Sequence, residues 1–178
     1  KKQVSLLLGK VFDETGDRLT PSHTKTGKGR RLRYYVSHRL IRSSGPKDPS
    51  GWRLPAPELE TLVTSLIRTH LGTASVRANL ISLATTEEIV LIANKMTELT
   101  NKEDGADGET NRIMLGLIER VQIAPGKIQI TISARTIAEV LTIDAKRISD
   151  EHLSLQSDFR NRKRGVRTKL ILDDETGK

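Results

Sequence analysis

Five arginines fall within thirteen residues, Arg30, Arg31, Arg33, Arg39 and Arg42, and Lys25 and Lys28 lie on the loop just before them. Arginine presents a planar fork of donors that matches a phosphate and also grips a guanine edge. From Arg30 to Leu40 the residue types alternate. Leu32, Tyr34, Val36, His38 and Leu40 share one parity; Arg31, Arg33, Tyr35, Ser37 and Arg39 share the other. Alternate side chains of an extended strand leave opposite faces, so one face is expected to pack and the other to show a cationic row with Tyr35 in it. Arginines and lysines would hold phosphates, and Tyr35 would stack on a base or sugar or bond a phosphate. The plainer reading is an edge strand protected by its charge. A second cluster, Arg160, Arg162, Lys163, Arg164 and Arg167, is expected at a basic hairpin tip beside Gly165, where it would meet phosphate or form a solvated turn.

Other chemistry is poorly served. Asp13, Glu14 and Asp17 have the spacing of turn residues rather than of a carboxylate pair. Ser22-His23 is adjacent only in sequence, which does not create triad geometry. Gly27-Lys28-Gly29 lacks the spacing of a phosphate-binding P-loop. The four histidines, His23, His38, His70 and His152, form no pair at ligand spacing. With no cysteine, disulfides, thiolate zinc sites and a cysteine nucleophile are all excluded. No catalytic residue, metal, cofactor or small-molecule substrate is expected.

The charge is distributed unevenly. Residues 1–53 hold 13 Lys/Arg against 4 Asp/Glu, residues 54–158 hold 10 against 15, and residues 159–178 hold 7 against 3. The net charge of +8 therefore resides at the two ends, around an acidic middle. This pattern points to a polyanion met by particular segments. Aromatics make up only 3% of the 178 residues, so the core is expected to be aliphatic. No apolar run reaches membrane-spanning length, and a cytoplasmic protein is expected. The start at Lys1-Lys2, without Met or a signal-like stretch, reads as a piece of a longer chain.

The elements that must position these residues are legible in outline. Residues 4–12 form a short apolar stretch, followed by a turn at Asp13–Asp17, a polar segment and a flexible loop ending in Thr26-Gly27-Lys28-Gly29. Ser43–Gly51 reads as a mobile loop. Pro55 and Pro57 with Glu58 and Glu60 open a helix whose stripe is Leu59, Leu62, Val63, Leu66, Ile67 and Leu71, ended by Gly72. A second helix is expected over Ser75–Ala84. A third begins at the capping box Thr85-Thr86-Glu87-Glu88 and buries Ile89, Ile92, Met96 and Leu99. After an acidic loop, Asn101–Glu109, come a helix at Thr110–Leu117 and a hairpin turning at Ala124-Pro125-Gly126-Lys127. A short helix over Thr136–Leu141 follows, then strands at Leu153–Leu155 and Val166–Leu172. The expected class is α+β: an N-terminal β-hairpin unit without zinc (1–53), a central helical region (54–108) and a C-terminal region with antiparallel strands (109–178).

The stretch Gly9-Lys10-Val11-Phe12-Asp13-Glu14-Thr15-Gly16-Asp17-Arg18-Leu19-Thr20-Pro21-Ser22-His23, with Gly29-Arg30-Arg31-Leu32-Arg33-Tyr34-Tyr35-Val36-Ser37, resembles the C-terminal region of serine recombinases of the resolvase/invertase family. Trp52-Arg53-Leu54-Pro55-Ala56 with Glu58-Leu59-Glu60 and Val63 is similar to the helix that follows there. Arg162-Lys163-Arg164-Gly165-Val166 through Lys169-Leu170 is similar to the closing basic strand. Many large members carry a zinc ribbon here, with cysteines near the positions of Asp13–Gly16, near Ser37 and shortly before the Pro55 helix. This chain departs from that pattern, which implies a hairpin held by packing alone. The resemblance implies a larger enzyme whose serine nucleophile lies upstream. It also implies a C-terminal part that recognises duplex attachment-site DNA, with acidic helices for scaffold or subunit contacts. A helical protein-interaction module with solubilising basic ends is the alternative. A single-strand or RNA binder normally wants more stacking aromatics than Tyr34, Tyr35 and Trp52 supply.

Overall fold

A computed structural model describes residues 5–42, 50–101, 108–164 and 167–172, with side chains as far as Arg160. Helices and two sheets make up a mixed α+β structure. The chain runs β1 (Val11–Asp13), β2 (Leu19–Lys25), β3 (Arg31–Ser37), α1 (His38–Arg42), β4 (Arg53–Pro55) and α2 (Ala56–Gly72). It continues through α3 (Ala74–Asn79), α4 (Thr86–Asn101), α5 (Glu109–Gly116), β5 (Ile118–Ala124), β6 (Lys127–Ile132) and α6 (Ala134–Leu141). Two 3-10 turns, Ala145–Arg147 and Asp150–His152, lead into β7 (Ser154–Arg164) and β8 (Arg167–Leu172). One sheet has the order β2-β3-β4 and the other β1-β5-β6-β7-β8, with β1 parallel to β5.

The three sequential blocks 1–53, 54–108 and 109–178 do not coincide with the compact units. One unit gathers Lys1–Leu62, Arg120–Gln129 and Gln156–Lys178; the other gathers Val63–Glu119 and Ile130–Leu155. The boundaries fall inside α2, β5, β6 and β7. The loops expected around 43–49 and 102–107, and the turn at Gly165, lie outside the described residues.

In the first unit, β2 and β3 pair from Leu19↔Ser37 to Lys25↔Arg31, and β4 joins the other side of β3 with Tyr34 opposite Pro55. Leu7, Val11, Leu19, Tyr35, Leu54 and Leu59 are wholly buried there. The Pro125-Gly126 turn forms as expected, with Gly126 at φ +75° as a type II turn requires.

In the second unit, Val63, Ile67 and Leu71 of α2 are buried at helical spacing, while Leu66 is half-buried. The capping box at the start of α4 is present. Thr85 Oγ1 accepts from the Glu88 amide at 3.2 Å, and Glu88 accepts from the Thr85 amide at 2.9 Å. The buried stripe of α4 is Ile92, Met96, Leu99 and Thr100, so Ile89 lies at its exposed margin rather than in it. The second expected helix stops at Asn79, well short of Ala84. Its continuation is diverted by backbone pairing: the Ser149 amide donates to the Leu80 carbonyl and the Ser82 amide to that of Arg147, both at 2.8 Å. Tertiary hydrogen bonds here override local helix propensity. Ser133 caps α6 by accepting from the Thr136 amide at 3.2 Å.

Glu88 also receives two guanidinium hydrogen bonds from Arg147, at 2.6 and 2.8 Å, which tie α4 to the turn at Ala145–Arg147. These bonds first, and the Thr85 amide second, push the Glu88 carboxyl down from its ordinary value to about 2. A folded-state value below the unfolded one stabilises the fold above the unfolded value, and that contribution is lost as pH falls through the folded one. Glu88→Gln is therefore expected to flatten the part of the stability–pH curve between about pH 4.5 and 2, measured by urea denaturation across that range. An unchanged acid limb would show that the pair contributes nothing there.

Candidate nucleic-acid interface

The segment expected to be a flexible loop is a tight hairpin turn. The Gly29 amide donates to the Thr26 carbonyl at 2.8 Å, the Thr26 amide to that of Arg30 at 2.9 Å, and Gly29 takes φ +76°. This is the three-residue hairpin with glycine in the left-handed position, a conformation that a β-carbon would strain. The Thr26 hydroxyl adds a bond from the Arg30 amide at 3.1 Å. Lys25, Lys28, Arg30 and Arg31 are thereby gathered, exposed, at one end of β2 and β3. Among the described residues, none of the four has an ion-pair partner.

The alternation expected for β3 is corrected by the packing. Both faces of the strand are covered from Tyr34 to Ser37. Tyr35 is 0% exposed; its hydroxyl donates to Glu60 Oε1 at 2.8 Å and accepts from the Leu7 amide at 3.0 Å. Burial, then the Glu60 charge, pushes its phenol well above the ordinary value. Tyr35 therefore cannot stack on a base. Arg33 grips Glu60 with both terminal nitrogens, at 3.3 and 3.1 Å. Arg39 reaches Asp13 and Asp17 and donates to the Ser50 carbonyl at 3.0 Å. These two arginines are committed inside the unit: of the cationic row expected on this parity Arg31 stays exposed, Arg33 and Tyr35 belong to an internal polar network, and Arg39 lies on α1, past the end of the strand at Ser37.

Asp13 is wholly buried. Its carboxylate accepts from the Thr15 hydroxyl at 2.6 Å, the amides of Thr15 and Asp17 at 2.9 and 3.1 Å, and Ser37 Oγ at 3.1 Å, besides Arg39. Burial pushes the carboxyl up, but the bonds from Thr15, Arg39 and Ser37 outweigh it and hold it below the ordinary value. Ser37 Oγ in turn accepts from the Trp52 amide at 2.9 Å.

Beside the hairpin end lies a groove of about 410 Å³ lined by Arg30, Arg31, Leu32, Tyr34, Pro55 and Glu58 among others. The Arg53 guanidinium lies 4.2 Å from the centre of the Tyr34 ring. Arg53 is not among the contacts expected from sequence, where it stands only in the segment 52–56 of the family resemblance. Arg42 is exposed on α1, beyond the far end of β3. Six residue steps separate it from Arg31 along that strand alone, about 20 Å. Arg160 is exposed on β7, opposite Ile171. The basic run continues as strand to the end of an antiparallel hairpin: Arg162 pairs with Lys169, Lys163 with Thr168 and Arg164 with Arg167. The side chains of Arg162, Lys163, Arg164 and Arg167 lie outside the described residues. Among those described, no group of three His, Asp or Glu residues is placed to hold a metal ion, and no helix is long and apolar enough to cross a membrane.

No family model, curated protein or solved structure matches this chain. The first unit carries 22 Lys/Arg against 10 Asp/Glu, a net charge of +12, and the second 8 against 12, a net of −4. Folding thus sharpens the segregation already present along the chain, because the basic ends and the hairpin at 120–129 all enter one unit.

If Tyr35 is structural rather than a DNA contact, Tyr35→Phe strands the Leu7 amide and weakens the neutralisation of Glu60. Stability is expected to fall by about 1–3 kcal/mol, read by denaturant titration, with duplex affinity of the folded variant unchanged. Loss of affinity without loss of stability would restore the tyrosine to the contact surface.

Proposed function

We propose that this chain is a non-catalytic, duplex-DNA-binding portion of a serine site-specific recombinase, recognising attachment-site DNA for integration, excision or inversion in the cytoplasm. The observation that carries the DNA part is the hairpin end, where Lys25, Lys28, Arg30 and Arg31 project from a unit of net charge +12. A rigid two-stranded ribbon with a cationic end has the width to enter a major groove, and its guanidinium forks suit phosphates and guanine edges. The recombinase part rests on the likeness of segments at 9–23, 29–37, 52–63 and 162–170 to that family. The nucleophilic serine belongs, on this reading, to a catalytic domain upstream, and this portion performs no chemistry of its own.

The test is binding of the chain to random duplex DNA and to duplex spanning the parent element's integration junction, over a salt series. Tighter binding to the junction supports the recombinase reading, and equal binding to both leaves a general DNA binder. Arg30→Gln/Arg31→Gln is expected to lower the slope of log K against log salt by about 2. Failure of the unaltered chain to bind either duplex at low salt would overturn the reading.

A second reading, self-association through the helices, is favoured by one observation. Leu83, just before α4, and Val90 and Leu91, in its second turn, are 97%, 55% and 58% exposed. On that reading Val90→Lys/Leu91→Lys shifts the sedimentation coefficient toward the monomer. A wild-type chain that sediments as a monomer at all accessible concentrations excludes it.

A further inference from the structure

A second cationic group is assembled in the first unit from residues a hundred positions apart. Phe12 is opposed by Arg18 across an isolated antiparallel bridge, and on its other side β1 pairs with β5, Phe12 facing Gln122. Directly opposed residues leave the same face of a sheet, as do residues two apart on one strand. Arg18, just before β2, therefore shares one face with Phe12 of β1 and Arg120 of β5, while Val11 and Asp13 leave the other and are wholly buried. The Arg120 guanidinium lies 3.9 Å from the centre of the Phe12 ring and that of Arg18 lies 5.9 Å from it. Both are within the range of cation–π attraction.

Glu119, next to Arg120, leaves the opposite face of β5, and the carboxylates of the turn before Arg18 are engaged elsewhere. Glu14 accepts from the Trp52 indole at 2.8 Å, and Asp17 accepts from the Arg39 amide at 2.9 Å. Among the described residues neither Arg18 nor Arg120 has a carboxylate partner, unlike Arg33, Arg39 and Arg147. Two guanidinium ions held on one ring without a counter-charge repel each other, and an anion reached by the edge donors of both offsets that cost. Stacking on the ring holds the guanidinium and leaves its edge donors available for such an anion.

We propose that Arg18 and Arg120, held on Phe12, form a second contact with the DNA backbone, separate from the hairpin end. The half-buried ring gives a deoxyribose an apolar surface beside the two phosphate donors, which suits a sugar–phosphate chain better than a free anion. Arg18 and Lys25 are seven residue steps apart along an extended strand, about 23 Å. That is the length of about seven base pairs at 3.4 Å per step. The two contacts are thus spaced to touch one duplex at separate places. This inference rests on the DNA-binding reading above.

The experiment compares the full chain, Arg18→Gln/Arg120→Gln, Arg18→Lys/Arg120→Lys and the hairpin variant Arg30→Gln/Arg31→Gln on a 30-base-pair duplex (about three helical turns). Binding is followed by fluorescence anisotropy across a salt series, with folding checked by thermal melting. The glutamine pair is expected to lower the salt slope by about 1.8, for two phosphate contacts. Its effect should add to that of the hairpin variant. The lysine pair is expected to keep most of the slope and lose affinity several-fold, because an ammonium neither forks nor stacks as a guanidinium does. A glutamine pair that binds like wild type, while the hairpin variant does not, overturns this contact and leaves the DNA reading standing. Should the glutamine pair fail to fold, a lysine pair with wild-type affinity overturns it equally. A wild-type chain that binds no duplex defeats the DNA reading and this inference with it.

Discussion

A carboxylate taken out of water must be neutralised where it lies, and Glu60 imposes that condition on the whole first unit. It lies near the start of α2 with its side chain only 10% exposed. Leaving such a charge unpaired costs several kcal/mol, and removing one partner of a buried pair typically costs about 3–5 kcal/mol. Arg33 supplies both terminal nitrogens and Tyr35 its hydroxyl, so β3 must present these two residues to the helix. The same hydroxyl accepts the Leu7 amide, which fastens the segment before β1 to the same point. Once Arg33 and Tyr35 face inward, the register of the β2–β3 hairpin is fixed. The cations that remain outside are then those beyond the last inward residue, Arg31 and the turn before it.

Asp13 imposes the same condition at the other end of the hairpin. Ser37, Arg39, Thr15 and the Asp17 amide converge on it, and Ser37 passes the connection on to the Trp52 amide. On the proposed recombinase reading, zinc-ribbon members of that family would carry cysteines near Asp13, near Ser37 and shortly before the helix opened by Pro55. At those places this chain has groups that bond one another: an acid, a hydroxyl and a backbone amide, with an arginine as counter-charge. A polar knot of this kind closes the turn, the end of β3 and the start of β4 together, which is the mechanical task a four-ligand ion performs elsewhere. Its strength is tied to ionisation of Asp13, whereas that of a thiolate site is tied to metal supply.

Features governed by neighbours in sequence were legible. The Thr85–Glu88 capping box, the Pro125-Gly126 turn and the entry to α2 each depend on a few adjacent side chains, and each forms where its residues predict. The facing of β3 was not legible. Alternation assigns the polar parity to solvent only when that face has no partner, and here α2 brings Glu60 to it. The sequence contains Glu60, but nothing local says that it points at residue 33. The end of α3 was hidden for the same reason, since the pairing of Leu80 and Ser82 with Ser149 and Arg147 spans more than sixty residues. The run Arg160–Arg164 has the composition of a turn, yet it forms strand because β8 supplies a partner along its length. Arg18 and Arg120 stand apart in sequence, and only the parallel pairing of β1 with β5 puts Phe12 between them.

The arginines of the first unit thus divide by what holds them rather than by where they fall in the chain. Arg33 and Arg39 are held by carboxylates, and their charge is largely cancelled at short range. Arg18, Arg53 and Arg120 are held on aromatic rings, which fix the guanidinium without cancelling its charge. Ring-held arginine keeps its long-range field and its edge donors while losing much of its conformational freedom, so less entropy remains to be lost when an anion arrives. In the field of a polyanion the unit of net charge +12 is attracted and the unit of net charge −4 is repelled. On the proposed DNA-binding reading, this favours encounters through the first unit more than it raises affinity. Counting Lys and Arg from the sequence overstates the charge on offer at β3 and misses the ring-held set. What a polyanion meets is set by the internal pairing of Glu60 and Asp13, because each arginine they engage is withdrawn from the surface.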